Sequence, residues 1–477
     1  MAGLARASAV QFSVTLARTV VGALVTIYAV RILGAGAFGQ YALALGVVGI
    51  VRIPTSSVSL ATSKRISEGA RRNVFHTTGL LLLAVVVTVA AAVILLASAP
   101  LSSYIGFAEI SLVAALYVSK SVFSHATGVL RGEHRVEAAA LADAAGGIGI
   151  AALQFVLLYT GGGVLSLLRG EIVAAGVTAL VCLYVSDRSF AVPDWASVRS
   201  LYEYGRYVWL GEFRGMSYSW VDTVLLGFFV APAVVGAYEV AWRITALFML
   251  LPQAFGAVTF PSISEATAKG RFDDVNRILN RMLPLAPALA IPGAVGALVI
   301  GTGVLSIYGA SVVAVSIAPL VLVLLSLMRC VESFETSFVS VLDATDHPEQ
   351  SFRVSVVFIL SNIALNLALI PTVGAVGAAL ATLTALSLSA ALAYRGFPAE
   401  VDVSLDSRTL GGEVVAAALM GGLLAGLTAY YPANGLVIVL LYVGLGAAVY
   451  GAALTALSPN VRARARQLLH ETGLAGT

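Results

Sequence analysis

Fourteen apolar stretches, each long enough to cross a bilayer as a helix, take up most of this 477-residue chain. They fall near 8–33, 39–62, 77–98, 109–130, 138–160, 164–186, 207–230, 236–260, 282–302, 314–341, 353–370, 375–394, 412–430 and 435–457. A helix rises ~1.5 Å per residue, so about 20 apolar residues cross a hydrocarbon core ~30 Å thick. Inside that core every backbone amide and carbonyl must be bonded within the protein, which leaves only helices and closed barrels. Runs this long, without the polar alternation of a barrel strand, choose helices. The chain is therefore expected to be an all-α integral membrane protein. Its composition agrees, with 11% charged residues against about 25% in soluble domains.

The loops between these stretches alternate in charge. Those after spans two, four, six, eight, ten and twelve hold Lys64, Arg65, Arg71 and Arg72, then Arg131 and Arg135, then Arg188, Arg199 and Arg206. They continue with Lys269, Arg271, Arg277 and Arg281, then Arg353, then Arg395 and Arg408. Arg6 precedes the first span, and Arg462, Arg464 and Arg466 follow the last. The intervening loops, such as Ala99–Ala108, Ala231–Val235 and Pro371–Gly374, contain no Lys or Arg. Positive residues stay on the cytoplasmic side, so both termini are expected to be cytoplasmic. The first apolar run lacks a clear cleavage site and reads as a retained span. Asp194 is expected to cap a short interfacial helix, and Pro459 to open a basic tail helix.

Several function classes drop out. With only three lysines and no Gly-x-x-x-x-Gly-Lys-Ser/Thr, the chain has no ATP-hydrolysing loop. It has neither a zinc-protease motif nor a Gly-x-Ser-x-Gly. The outer loops are too short to form a catalytic domain. Cys182 and Cys330 lie in apolar stretches and read as packing residues. No enzyme activity, cofactor, metal site or nucleic-acid partner is expected.

Two motifs suggest an internal repeat. Phe38-Gly39-Gln40-Tyr41 opens span two, and Val235-Gly236-Ala237-Tyr238 opens span eight. They hold equivalent places in two sets of six spans, as duplicated transporter halves do.

The run Tyr28-Ala29-Val30-Arg31-Ile32-Leu33-Gly34, followed by Phe38-Gly39-Gln40-Tyr41-Ala42, resembles the opening signature of Wzx-type polysaccharide-biosynthesis flippases. Those belong to the superfamily that also contains lipid II flippases and multidrug (MATE) exporters. Further stretches fit in the right order across residues 10–395. They are Tyr202-Glu203-Tyr204-Gly205 with Trp220-Val221-Asp222-Thr223, Phe260-Pro261-Ser262-Ile263-Ser264-Glu265, and Asn362 and Asn366 with Leu369-Ile370-Pro371. The resemblance implies two six-helix bundles around a central cavity, residues 1–205 and 206–400. Residues 401–477 would add two helices and a basic tail. The implied cargo is an oligosaccharide on a polyprenyl phosphate or diphosphate, moved from the cytoplasmic to the external leaflet by alternating access. The implied location is the cell membrane, the expected partners are membrane lipids and the glycan, and the chain is expected to act as a monomer alongside glycosyltransferases.

Eight cations lie inside the apolar stretches: Arg18, Arg31, Arg52, Lys120, Arg169, Arg214, Arg243 and Arg329. Each costs roughly 2.5–3.5 kcal/mol at mid-bilayer, so such residues face protein or a polar cavity. Arg18, Arg52 and Lys120 sit at one depth, roughly 15 Å in, as a layer suited to phosphate oxygens; the alternative is helix-to-helix pairing. Arg31 and Arg169 lie near outer ends and can snorkel. Arg214, Tyr218 and Asp222 are spaced i, i+4, i+8 on one face, where Asp222 could pair, take up a coupling ion or meet sugar hydroxyls. Glu239 and Arg243 have intrahelical spacing. Arg329, Glu332 and Glu335 make the cytoplasmic half of span ten too polar for lipid, so it is expected to line the cavity mouth. The candidate phosphate-binding set is thus Arg18, Arg52, Lys120, Arg214, Arg243 and Arg329. Two other readings stay open: a MATE-like cation-coupled exporter, and a membrane glycan polymerase or ligase.

Overall fold

A computed structural model describes residues 2–187, 190–403, 406–458 and 462, with side chains from residue 20 onward except Leu210. Arg188, Pro459, Arg464 and Arg466 lie outside the described residues, as do the side chains of Arg6 and Arg18. Among the described residues every regular element is helical. The N-terminal elements are α1 (Ala2–Val51), α2 (Ile53–Ser67), α3 (Arg72–Leu96), α4 (Ser98–Ile105), α5 (Ile110–Gly132), α6 (Val136–Tyr159) and α7 (Leu165–Val185). Then come α8 (Trp195–Met216), a π-helix (Ser217–Val221), α9 (Asp222–Phe229), α10 (Pro232–Ala246), α11 (Leu250–Ala268) and α12 (Phe272–Met282). The chain ends with α13 (Ala290–Ser306), α14 (Ala310–Val313), α15 (Ala318–Ala344), α16 (Pro348–Arg395), α17 (Ser407–Tyr430) and α18 (Leu436–Leu457).

Among the described residues nine helices are long and apolar enough to cross a membrane, or ten if the bent pair α4–α5 forms one span. Two causes separate that number from fourteen apolar stretches. Some expected spans follow one another without a loop: α1 turns at Gly34 (φ 80°, ψ 166°) and α16 at Gly374 (φ 60°, ψ −135°). Both are backbone conformations that only glycine adopts without strain. In addition, expected spans seven and ten carry too many charges to pass as apolar. The first holds Glu212, Arg214 and Asp222, the second Arg329, Glu332 and Glu335. The expected short helix at Asp194 differs in length. Asp194 does cap it, accepting the Ser197 amide at 2.8 Å, but α8 then runs on to Met216. The Ser197 amide and then the Arg71 guanidinium hold the Asp194 carboxyl below the usual carboxylate range.

The chain divides into two compact units, Met1–Gly236 and Ala237–Thr477. Within the first unit α8 packs on α2 and α3, and α9 on α1. In that unit α2 also packs on α3 and α5, while α5, α6 and α7 pack on one another. Lipid tails are as apolar as leucine, so such packing relies on close approach rather than on water exclusion. The two repeat motifs show how close. A Cβ on Gly39 would lie 1.8 Å from the Pro232 carbonyl oxygen, and one on Gly236 would lie 1.9 Å from that of Ala35. Each glycine opposes the backbone beside the other. In the second unit α15 packs on α13 and α16, and α17 packs on α13 and α18.

Candidate functional site

The first unit gathers its charges where α1 gives way to α2. Pro54 follows Arg52 by two residues and cannot donate to the Ile50 carbonyl, so the helix breaks there. Arg52 stays tied into the chain through its amide to Val48 O (3.0 Å) and its carbonyl to the Ser56 amide (2.9 Å) and Thr55 Oγ1 (2.8 Å). Glu212, Glu171 and Tyr117 lie near enough to act on its guanidinium electrostatically. The side chain lines a cavity of about 360 Å³ together with Glu212 and Trp220. Its Nε is buried and has no hydrogen-bond partner among the described residues.

Lys120, expected in the same layer, is committed elsewhere. Its Nζ lies 2.5 Å from Glu171 Oε2, with side-chain exposures of 23% and 7%. The Tyr41 hydroxyl donates to Glu171 Oε1 and accepts from Gln154 Nε2 at 3.1 Å. Gln154 also donates to the Leu167 carbonyl at 3.0 Å. One buried network thereby joins α1, α5, α6 and α7. Arg31 and Arg169 are exposed.

Arg214, Tyr218 and Asp222 are not on one regular α-helix, because the π-helix runs between Arg214 and Asp222 and contains Tyr218. Asp222 is buried, the other two are half-buried, and all three are engaged with neighbours. A π-helical turn inside a membrane helix is uncommon and concentrates at functional sites.

In the second unit Arg329 is 2% exposed. Its Nη1 donates to Glu332 Oε2 at 2.7 Å, and Nε and Nη2 reach Thr245 Oγ1 and the Trp242 carbonyl at 3.3 and 3.4 Å. The guanidinium carbon stands 4.2 Å from the centre of the Trp242 ring. Glu335 is buried and accepts from Ser389 Oγ at 3.2 Å. The polar stretch expected to line an open mouth is therefore a closed network, since a cation with this full a set of partners loses little by burial. Glu239 is buried, Arg243 half-buried, and neither is free. Each unit thus brings its own charges together: Arg52 and Lys120 share Glu171 as a neighbour in the first, and Arg329 and Glu332 pair in the second.

Among the participants missed by sequence reasoning are Tyr41, Glu171 and Glu212. A search for carboxylates as well as cations inside apolar stretches flags Glu171 and Glu212, because an ionisable group at membrane depth signals function in either sign. Tyr41 carries no such signal. Among the described residues no group of three or more His, Cys, Asp or Glu side chains could hold a metal ion.

The family model described as polysaccharide biosynthesis protein matches residues 4–267, and the one described as lipid II flippase MurJ matches residues 206–446. The chain is 41% identical over 474 residues to the "Probable flippase AglR" of Haloferax volcanii, covering 99% of this chain and all of the relative. It is 27% identical over 421 residues to the "Probable low-salt glycan biosynthesis flippase Agl15" of the same organism, covering 88% and 89%. Among solved structures, lipid II flippase MurJ in an inward closed conformation matches with a TM-score of 0.76 at 15% identity, over 94% of this chain and 98% of that one. That likeness shows a shared fold.

Proposed function

This chain belongs to the polysaccharide biosynthesis protein family, among the lipid-linked glycan flippases of the multidrug/oligosaccharidyl-lipid/polysaccharide exporter superfamily, and from that premise we propose that it carries a lipid-linked oligosaccharide from the cytoplasmic to the external leaflet. It is a translocator rather than an enzyme. The observation that carries the reading within the molecule is Arg52, a guanidinium at membrane depth with a buried, unbonded Nε beside a cavity. Arg binds phosphate oxygens bidentately, and a cation left without a full set of partners in apolar surroundings has most to gain from an anionic ligand. Arg18 and Lys120 belong to the same proposed phosphate layer, with Glu171 holding Lys120 until cargo competes for it.

The protein acts in the cell membrane with both termini in the cytoplasm, a placement supported by the twenty Lys and Arg residues confined to alternate loops and the termini. It acts as a monomer alongside the glycosyltransferases that load its carrier. Transport follows alternating access, in which cargo binds the inward-open form and leaves from the outward-open one. Cells lacking the gene are expected to accumulate unflipped lipid-linked glycan, and the wild-type chain to clear it. Full clearance by a chain carrying Arg18→Ala, Arg52→Ala and Lys120→Ala together would overturn the phosphate-layer assignment.

A further inference from the structure

The cavity beside Arg52 holds more than a cation. Glu212 lines it too, with Ser56, Ser124 and Trp220. Among the described residues no ion pair joins Arg52 to Glu212, and none joins either to another group. The two opposite charges line one cavity without forming an ion pair, which leaves space between them for a ligand. The space, about 360 Å³, is within the range of small-molecule sites, which combine an apolar wall with a few converging polar groups.

Trp220 supplies that wall, and two local features aim it. Gly49 has no side chain, and a Cβ there would lie 2.8 Å from Trp220 Cδ1 and 3.0 Å from Nε1, so the indole lies flush against α1. The π-helix does the rest. In a regular α-helix, residue 220 would turn roughly 80° away from residue 212. A π turn closes i to i+5 and rotates less per residue, which brings Trp220 and Glu212 onto one side.

The chemistry of the cavity is composite. The indole offers a flat apolar face, as a sugar ring does on its C–H side. The Glu212 carboxylate only accepts, and so suits neighbouring sugar hydroxyls; the two serines can donate or accept. Arg52 suits a phosphate. A sugar joined directly to a phosphate combines these features. We infer that this cavity is the subsite for the carrier-proximal sugar of the cargo, that Trp220 and Glu212 select that sugar, and that the sugar is uncharged. A uronate there would meet the Glu212 carboxylate as a like charge. The inference rests on the flippase reading and deepens it, because it assigns sugar selectivity to residues outside the cationic set.

The test uses the full chain in detergent micelles and three probes: phytanyl phosphohexoses (glucose, galactose and mannose), phytanyl phosphoglucuronate, and sugar-free phytanyl phosphate. At least one phosphohexose is expected to bind the wild type tenfold or more tightly than phytanyl phosphate, and the glucuronate to bind more weakly than that hexose. Trp220→Ala should abolish the hexose advantage while leaving phytanyl phosphate within twofold, a result that also shows the variant is folded. Trp220→Phe should retain most of the advantage. Glu212→Gln should weaken the hexose severalfold and bring the glucuronate closer to it. Arg52→Ala should weaken all three probes. An unchanged hexose advantage in Trp220→Ala overturns the subsite alone, as does equal loss of hexose and phytanyl phosphate. A wild type that prefers no phosphohexose over phytanyl phosphate also overturns the subsite, whereas one that binds none of the phytanyl phosphates overturns the flippase reading with it.

Discussion

Arg52 and Arg329 are the same residue type, each set in an apolar stretch, yet their surroundings are opposite. Arg329 is closed in by a carboxylate, an indole face, a hydroxyl and a carbonyl, and is 2% exposed. Arg52 sits at a helix break beside a cavity, with Nε unbonded. The first arrangement offsets the cost of a membrane-buried cation within the protein itself. Under the proposed reading, the second leaves that cost for a ligand to offset. On that reading an intramembrane arginine signals a site only when its donors are not already spent.

The comparison is broken most forcefully from the Arg329 side. Arg329→Met leaves Glu332 buried without its partner and is expected to cost about 3–5 kcal/mol of stability, read as a lowered thermal midpoint in detergent. Adding Glu332→Gln should recover most of that loss, because it removes the stranded charge. A double variant no more stable than the single one would show that Arg329 acts through its Trp242 and Thr245 contacts instead.

A smaller effect is expected at Lys120, which sits between the two extremes. Its partner Glu171 is 7% exposed and also receives the Tyr41 hydroxyl. Glu171→Gln weakens an ion pair and a charge-assisted hydrogen bond and should cost roughly 1.5–3 kcal/mol. In a double-mutant cycle with Lys120→Gln the coupling should be ~0.5–3 kcal/mol. A coupling near zero would detach Lys120 from the network and leave it with no carboxylate for cargo to displace.

How much of this was readable in the chain follows from what kind of fact each feature is. Helical spans were legible, since they depend on local hydropathy. The family signature was legible too, and with it the flippase fold. The repeat motifs at Gly39 and Gly236 were visible as a pattern, but their purpose, backbones too close for any side chain, appears only in three dimensions. Partnership was not legible. Apart from Glu332 three residues on, nothing local distinguishes Arg329 from Arg52, because Trp242, Thr245 and Glu171 come from remote helices. The π-helix escaped for a related reason: Ser217–Val221 has no proline or glycine to mark a register change.

The smallest expected effect on stability is the most informative about function. Arg52→Ala removes a guanidinium whose Nε has no hydrogen bond to lose, and takes a costly charge out of apolar surroundings. Its thermal midpoint should therefore stay close to wild type, within about 0.5 kcal/mol, or rise. Clearance of the lipid-linked glycan should nevertheless fail in cells that depend on it. That combination, an unharmed fold with lost transport, is what a residue held in reserve for a ligand produces, since functional sites trade stability for readiness to bind. Arg329→Met should show the reverse order, with transport lost only to the extent that the folded protein is lost. If Arg52→Ala instead unfolds as readily as Arg329→Met, its guanidinium is structural, and the contrast between the two arginines collapses.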